Sequence, residues 1–221
     1  MKKSGNKSLI SKLWTLKDLS KLTPADVFDI LKRGNDDFVH DRLTVRNNSK
    51  RVRSAALSQN PIAVVLSCLD SRLPVEDIFH RGIGELFVIR VAGNVVNDDI
   101  LGSLEFACGV STAKVLIVLG HEHCGAVKAS IDDMKVGHLT GLLSKIKPAV
   151  RKAAKNFSGK KDSSNVQFAK KVSWENVENS LNTIRAKSPI LTKMEDEGKI
   201  MILGGMYNMH RGRVKFFTGK K

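Results

Sequence analysis

The sequence predicts an α/β protein with a mostly parallel central sheet of four strands, with room for a fifth, flanked by helices. Four short apolar runs are continuous rather than alternating, which favours strands that are buried on both faces. Helical stretches separate these runs, an order typical of a parallel sheet. Hydrophobic residues make up 42% of the 221 residues, enough for a substantial core. The four runs are Ile62–Leu66, Leu86–Val91, Val115–Leu119 and Ile200–Leu203.

The chain is expected to divide into a short N-terminal arm and one domain. Residues 1–22 are polar and basic and predict a flexible arm, with helical character near Leu13–Leu19. Residues 23–221 are expected to form a single domain, since domains commonly contain ~100–200 residues.

The first helix of the domain is predicted at about Pro24–Asn35. Thr23 is a good N-cap, Pro24 suits the first helical position, and Gly34 suits the end of the helix. The apolar residues of this stretch recur at helical spacing and form one face, so the helix needs a surface to pack on.

A charged connection is expected before the first strand, and helices are expected between the strands. The connection covers 41–58, and the helices are placed at Val75–Phe79, Asp98–Val110, Ala126–Met134 and about 139–187, with a break at Ser158–Asn165.

Composition excludes several classes of protein. The apolar stretches of five or six residues are far shorter than the ~20 that a membrane-spanning helix needs. The basic N-terminus lacks the apolar region and cleavage site of a signal peptide, so a cytoplasmic protein is expected. Three cysteines make a poor disulfide framework and are better candidates for thiols or metal ligands. The net charge of +15 suits a solvated surface, and it keeps nucleic-acid binding as an alternative.

Two motifs with metal-binding chemistry follow predicted strands. Cys68, Asp70 and Arg72 come directly after the first strand, and His121 and Cys124 come directly after the third. Because the carboxyl ends of parallel strands form ligand sites, these side chains are expected to meet at one edge of the sheet. Two thiolates, an imidazole and a carboxylate form a plausible tetrahedral set, and their softness favours zinc or iron over magnesium or calcium.

The role of Asp70 is open between two alternatives. It could accept a hydrogen bond from water at the metal, held ionised and oriented by Arg72. It could instead bind the metal itself and close the site. A purely structural zinc site is the remaining interpretation, and the Asp-x-Arg pair argues against it because a structural site needs neither residue.

The sequence resembles the β-class carbonic anhydrases over roughly residues 23–217. The resemblance rests on the two motifs and on three supporting stretches. These are Cys68-x-Asp70-x-Arg72 and Gly120-His121-x-x-Cys124-Gly125, supported by the stretches Gly84–Asn94, Gly102–Ala107 and Gly204–Tyr207 with Gly212–Val214.

The resemblance implies one zinc ion per subunit, bound by Cys68, His121 and Cys124, with water or Asp70 as the fourth ligand. It also implies an Asp70–Arg72 dyad beside the metal. The reaction it implies is the reversible hydration of CO₂ to bicarbonate and a proton, by attack of zinc-bound hydroxide in a narrow apolar pocket.

The resemblance further implies a homodimer or tetramer whose N-terminal helix, about 24–35, packs on the neighbouring subunit. The apolar face of that helix suits this arrangement. By match of position, Gln59, Phe87, Phe106 and Gly125 are the candidates to line the substrate pocket, with Gln59 acting across the interface. Position 106 is often Tyr in the family and is Phe here, so this position offers no hydroxyl for proton transfer.

The family contains enzymes whose zinc keeps an open coordination position and enzymes in which the aspartate occupies that position. The enzymes closed by the aspartate have a tryptophan three residues before the first cysteine, where this sequence has Val65. Arg90 matches a family arginine but is not diagnostic. An open site without bicarbonate regulation is therefore expected.

Two other functions stay open from the sequence. The same scaffold and metal chemistry would suit a CS₂ or COS hydrolase. A non-catalytic zinc protein that binds nucleic acid is favoured by the charge, whereas the Asp70–Arg72 pair and the lack of a recognised nucleic-acid motif oppose it.

Overall fold

A computed structural model of the chain describes residues 14–43, 48–155 and 157–219. Its centre is a five-stranded sheet in the order β2-β1-β3-β4-β5. The first four strands are parallel, and β5 pairs antiparallel with β4. The strands are β1 Ala63–Ser67, β2 Leu86–Arg90, β3 Val115–His121, β4 Met201–Tyr207 and β5 Val214–Phe217. The predicted α/β class and mostly parallel sheet are confirmed, and the fifth strand is present.

Helices flank both faces of the sheet. A 3₁₀ turn at Ala92–Asn94 follows β2, and a π-helical turn at Phe106–Val110 follows the fifth helix. The helices are α1 Leu16–Leu19, α2 Pro24–Val39, α3 Asn48–Ala55, α4 Val75–Ile78, α5 Asp98–Glu105, α6 Gly125–Ile131, α7 Gly137–Ser144, α8 Lys147–Lys155, α9 Val166–Lys187 and α10 Pro189–Asp196. No helix in the described ranges is long and apolar enough to cross a membrane.

The continuous apolar runs of the sequence reflect the burial of β1 and β3 on both faces. Every residue of these two strands is buried. Val65 and Ile117 belong to a core that includes residues of α2 and α4, whereas Val64 and Val118 belong to a core that includes residues of α5 and α9. Alternate side chains thus enter two separate cores, which removes the polar–apolar alternation of a half-exposed strand.

The start of α2 agrees with the prediction, but its end does not. The Thr23 hydroxyl accepts a hydrogen bond from the Asp26 backbone N–H, and the Asp26 carboxylate accepts one from the Thr23 backbone N–H. The helix then continues through Gly34 to Val39. A Cβ on Gly34 would lie 1.9 Å from the Phe79 carbonyl oxygen. This glycine therefore permits a close approach to the chain after α4 and does not end the helix.

The apolar face of α2 packs within its own chain. Val27 and Leu31 are fully buried in the core that includes β1 and β3. The face therefore gives no separate support for packing on a neighbouring subunit, which stays a prediction. In the N-terminal arm, α1 buries Leu19 against the same core. Leu13 and the rest of residues 1–13 lie outside the described residues.

The segment predicted as a charged connection, 41–58, contains α3. The sequence does not predict this helix, because it lacks the apolar residues at helical spacing that mark a packed face. Its buried contact is an ion pair instead. Arg51 and Glu85 are both almost fully buried, with Arg51 Nη2 3.2 Å from Glu85 Oε1. The long region 139–187 resolves into three helices, and the predicted break at Ser158–Asn165 lies between α8 and α9.

Replacement of Gly34 by alanine is expected to destabilise the protein. The added Cβ collides with backbone that cannot rotate away, so Gly34→Ala should lower the free energy of unfolding by about 2 kcal/mol or more in urea titrations. Gly141→Ala is the matched control, because nothing lies within 4 Å of the Cβ position in α7. That change should raise stability by up to about 1 kcal/mol. Equal stabilities for the two variants would contradict the packing argument.

Candidate metal centre

The parallel pairing of β1 and β3 brings the two predicted motifs together. Ser67, the last residue of β1, lies opposite Leu119 of β3. Cys68 follows β1 directly, and His121 is the last residue of β3. Cys124 occupies the N-cap position of α6, after a two-residue turn. All three side chains therefore reach the carboxyl edge of the sheet from neighbouring elements.

The three side chains form a compact, buried donor cluster. The ligand atoms of Cys68, His121 and Cys124 all lie within 4.8 Å of one another. The two sulfur atoms are 3.9 Å apart. Two thiolates on a tetrahedral zinc, each at about 2.3 Å, would be separated by ~3.8 Å. The spacing and the soft donor set therefore fit zinc.

The imidazole of His121 has one nitrogen available to bind a metal ion. Its Nδ1 lies 2.9 Å from the Glu122 backbone carbonyl oxygen, which can only accept, so Nδ1 carries the proton and donates. Nε2 is buried and has no hydrogen-bond partner among the described residues. Burying such an atom unpaired is costly. A metal at Nε2 would satisfy it, and the fixed tautomer is typical of metal-ligating histidines.

The sulfur of Cys68 is surrounded by donors. The Gly93 backbone N–H donates to Sγ at 3.3 Å. The hydrogen bond from Cys124, opposed by burial and assisted by the Gly93 N–H, lowers the pKa of Cys68 well below its usual range. The same shared hydrogen bond, together with burial, raises the pKa of Cys124. The pair thus holds one negative charge readily and the second only with a cation present.

Asp70 and Arg72 form a bidentate pair beside the cluster. Arg72 donates from Nε to Asp70 Oδ1 at 2.9 Å and from Nη2 to Oδ2 at 2.8 Å. The Arg72 backbone N–H also donates to Oδ1 at 3.0 Å, closing a turn within the loop. These bonds lower the pKa of Asp70 to about 2. Asp70 is not part of the donor cluster.

Arg90 supports the loop that carries Cys68 and Asp70. Its Nε donates to the Cys68 backbone carbonyl at 3.1 Å, and its Nη2 donates to the Asp70 backbone carbonyl. The end of β2 thus holds the loop that follows β1. The sequence did not predict this role of Arg90, because its contacts depend on how β2 lies beside the loop after β1.

The two residues between His121 and Cys124 lie outside the cluster. His123 adopts a left-handed conformation, with φ of 57°, and its ring packs edge-on against His210 at 5.8 Å between centroids. Glu122 is largely buried and pairs with Lys170 at 2.9 Å. The side chains of Glu122 and His123 are therefore engaged elsewhere and do not belong to the donor cluster.

The candidate pocket residues fall into separate places within one chain. Phe87 and Phe106, with ring centroids 6.4 Å apart, line a cavity of about 570 Å³ beside the edge strand β2. Gln59 lines a different cavity of about 150 Å³ together with Trp14. Gly125 begins α6 beside Cys124, with an exposed backbone.

A sulfur–nitrogen donor set at the ends of parallel strands, beside a carboxylate–guanidinium pair, is typical of a metal-dependent α/β enzyme. The carbonic anhydrase family model matches residues 63–214. Carbonic anhydrase 2 of Mycobacterium tuberculosis is 32% identical over 196 residues, which cover 86% of this chain and 91% of that protein. This chain belongs to the carbonic anhydrase family, in its β class.

Solved structures agree with this assignment. A Coccomyxa β-carbonic anhydrase, solved in complex with acetazolamide, has a TM-score of 0.68 and 28% identity, covering 78% of this chain and 80% of its own. Two tetrameric β-carbonic anhydrases from Sordaria macrospora share the fold, with a TM-score of 0.67 and 21% identity over 78% of this chain and 92% of theirs.

Replacement of Cys124 by serine is expected to remove most of the bound zinc. A serine hydroxyl is a much poorer zinc ligand than a thiolate, so Cys124→Ser should hold well below one zinc per chain by elemental analysis. Cys108→Ala is the matched control. Cys108 is a buried thiol outside the cluster whose pKa is raised to about 12 by burial, so its loss should leave the zinc content unchanged. Full zinc retention by Cys124→Ser would exclude Cys124 as a ligand.

Proposed function

We propose that this protein catalyses the reversible hydration of CO₂ to bicarbonate and a proton, with one zinc ion per subunit. The observation that carries the proposal is the buried Cys68–His121–Cys124 cluster with an unpaired Nε2, in a chain of the β-carbonic anhydrase family. Family membership supports CO₂ over CS₂ or COS, and supports an enzyme over a nucleic-acid-binding protein.

Cys68, His121 and Cys124 would hold the zinc through Sγ, Nε2 and Sγ. When bound, zinc lowers the pKa of water and so supplies a nucleophile for CO₂ near neutral pH. The Glu122 carbonyl fixes the His121 tautomer, so Nε2 presents its lone pair.

The Asp70 carboxylate would orient the reacting water. Oδ1 already accepts from both Arg72 Nε and the Arg72 backbone N–H, whereas Oδ2 accepts only from Arg72 Nη2 among the described residues and keeps a lone pair with which to accept from the water. Because Arg72 stabilises the charged form, Asp70 stays an acceptor throughout the neutral range.

The site is proposed to be open, with Asp70 outside the set of metal ligands. Two observations support this. Both carboxylate oxygens already accept from Arg72, and the donor cluster does not include Asp70. Ligation by Asp70 would compete with Arg72 for the carboxylate, and a bidentate pair of this kind is among the stronger side-chain interactions.

A second copy of the chain is proposed to complete the substrate pocket. β2 is an edge strand, and Phe106 beside it is 54% exposed and lines an open cavity together with Phe87. An apolar edge of this kind favours pairing with another subunit. Gln59 and Gly125 are retained as pocket candidates, with Gln59 contributed from the neighbouring subunit. Sedimentation of the chain as a monomer would refute this arrangement.

The first test is stopped-flow CO₂ hydration on the zinc-loaded protein between about pH 6.5 and pH 9. An open site predicts zinc-dependent activity that persists towards the lower end of the range. Activity confined to the alkaline end would indicate closure by Asp70. If zinc-loaded protein hydrates no CO₂ at any pH, the proposal fails, and CS₂ and COS become the next substrates to measure.

Replacement of Asp70 by asparagine is expected to lower kcat by about 100-fold or more while the zinc content stays the same. The amide loses one acceptor oxygen and points a donor at Arg72 or at the water. Asp133→Asn serves as the matched control, because Asp133 is an exposed aspartate outside the cluster that pairs with Lys135 and Lys147. Unchanged turnover in Asp70→Asn would remove this residue from the mechanism.

A further inference from the structure

The turn that follows β2, Ala92–Asn94, forms a hydrogen bond to the Cys68 sulfur of the donor cluster. Gly93 N–H donates to Cys68 Sγ at 3.3 Å. Gly93 is held in the left-handed region, with φ of 67°, and a Cβ at this position would lie 2.6 Å from Ile146 Cδ1. Both the conformation and the close packing require glycine here. The turn therefore brings an N–H group to the sulfur where a larger residue could not fit.

Helix α9 holds this turn through a second hydrogen bond. Asn176 Nδ2 donates to the Gly93 carbonyl at 2.7 Å, and Asn176 is 1% exposed. The Asn94 N–H, at the other end of the same peptide group, donates to the Val91 carbonyl at 3.0 Å. With that peptide fixed at both ends and the Gly93 torsions limited by packing, the direction of the Gly93 N–H is set.

We infer that Asn176 is a positioning residue for the metal centre: it fixes the Gly93 turn so that the Gly93 N–H donates to the Cys68 sulfur and withdraws charge from it. Hydrogen bonds to thiolate sulfurs tune the metal that the sulfur binds. The inference rests on the proposed role of Cys68 as a metal ligand. Asn176 itself has no hydrogen bond to the cluster among the described residues: its Nδ2 donates to Gly93 and its Oδ1 has no partner.

A neighbouring residue on α9 provides a matched comparison. Ser180 lies one helical turn after Asn176 and donates from Oγ to the Asn94 carbonyl at 3.0 Å. Ser180 is also buried, and its loss would likewise leave a carbonyl of the turn without that bond. The two residues differ in which peptide they hold, because only the Asn176 bond acts on Gly93 directly. A role limited to stability would make the two variants alike.

The test is the absorption spectrum of the cobalt(II)-substituted full-length protein. Cobalt replaces zinc at thiolate sites and gives a sulfur-to-cobalt charge-transfer band whose energy depends on the charge at the sulfur. Asn176→Leu removes the amide donor at similar volume, and Ser180→Ala removes the hydroxyl. Circular dichroism and thermal unfolding establish that each variant is folded. Asn176→Ala replaces the leucine variant if that variant does not fold.

We expect the charge-transfer band of Asn176→Leu to move to longer wavelength, because a sulfur without its N–H donor gives up an electron more easily. Zinc affinity, measured by competition with a chromophoric chelator, should fall about tenfold or more. Ser180→Ala should leave the band in place even where its melting temperature falls. A folded Asn176 variant with an unchanged band would overturn the inference, and so would an equal shift in Ser180→Ala.

Failure of the inference is distinguishable from failure of the proposed function. If the wild-type protein takes up cobalt without a thiolate charge-transfer band, Cys68 is not a metal ligand and both proposals fall. If the wild-type protein shows the band and the Asn176 variant shows the same one, the metal site stands and only the positioning role is refuted.

Discussion

The site depends on the parallel pairing of β1 with β3. Both strands are buried on both faces, so their apolar pattern alone constrains the register weakly, and a slip by one residue would turn every side chain to the opposite face. The ends of the strands supply the missing constraint. A Cβ on Gly120 would lie 2.5 Å from Val177 Cγ2, so the end of β3 packs against α9 at a distance that only glycine permits, and a slipped register would place a side chain there. Cys68 and His121 meet because this register is fixed.

The same contact places α9 beside the turn that follows β2. Val177 touches the end of β3, and its neighbour Asn176 bonds to the Gly93 carbonyl. One helix thereby connects the end of β3, which carries His121, to the turn that donates to the Cys68 sulfur. The positions of both ligands depend on a single packing surface. A cavity in that surface is therefore expected to shift Cys68 and His121 without any change in either residue.

The sequence alone predicted the α/β class, the four parallel strands and the members of the donor cluster, because apolar runs and chemically distinctive side chains are local signals. It failed where the signal is a tertiary contact. Gly34 looks like the end of a helix, and only the Phe79 carbonyl explains why glycine lies within one. Helix α3 is hidden because its buried residue is Arg51, whose partner Glu85 is distant in sequence. Asn176 carries no signal at all, since a polar residue in a long helix ordinarily faces solvent.

The charge balance of the donor set explains why groups around the sulfur atoms matter. Two thiolates neutralise the charge of a zinc ion, so such a centre is a weaker Lewis acid than one held by neutral histidines. Any group that withdraws charge from a sulfur offsets part of that loss. Here the donor is a backbone N–H, which cannot change its charge with pH and whose direction is set by a glycine turn. The Gly93 N–H therefore offers a charge-withdrawing group to the Cys68 sulfur that is independent of the Asp70–Arg72 pair.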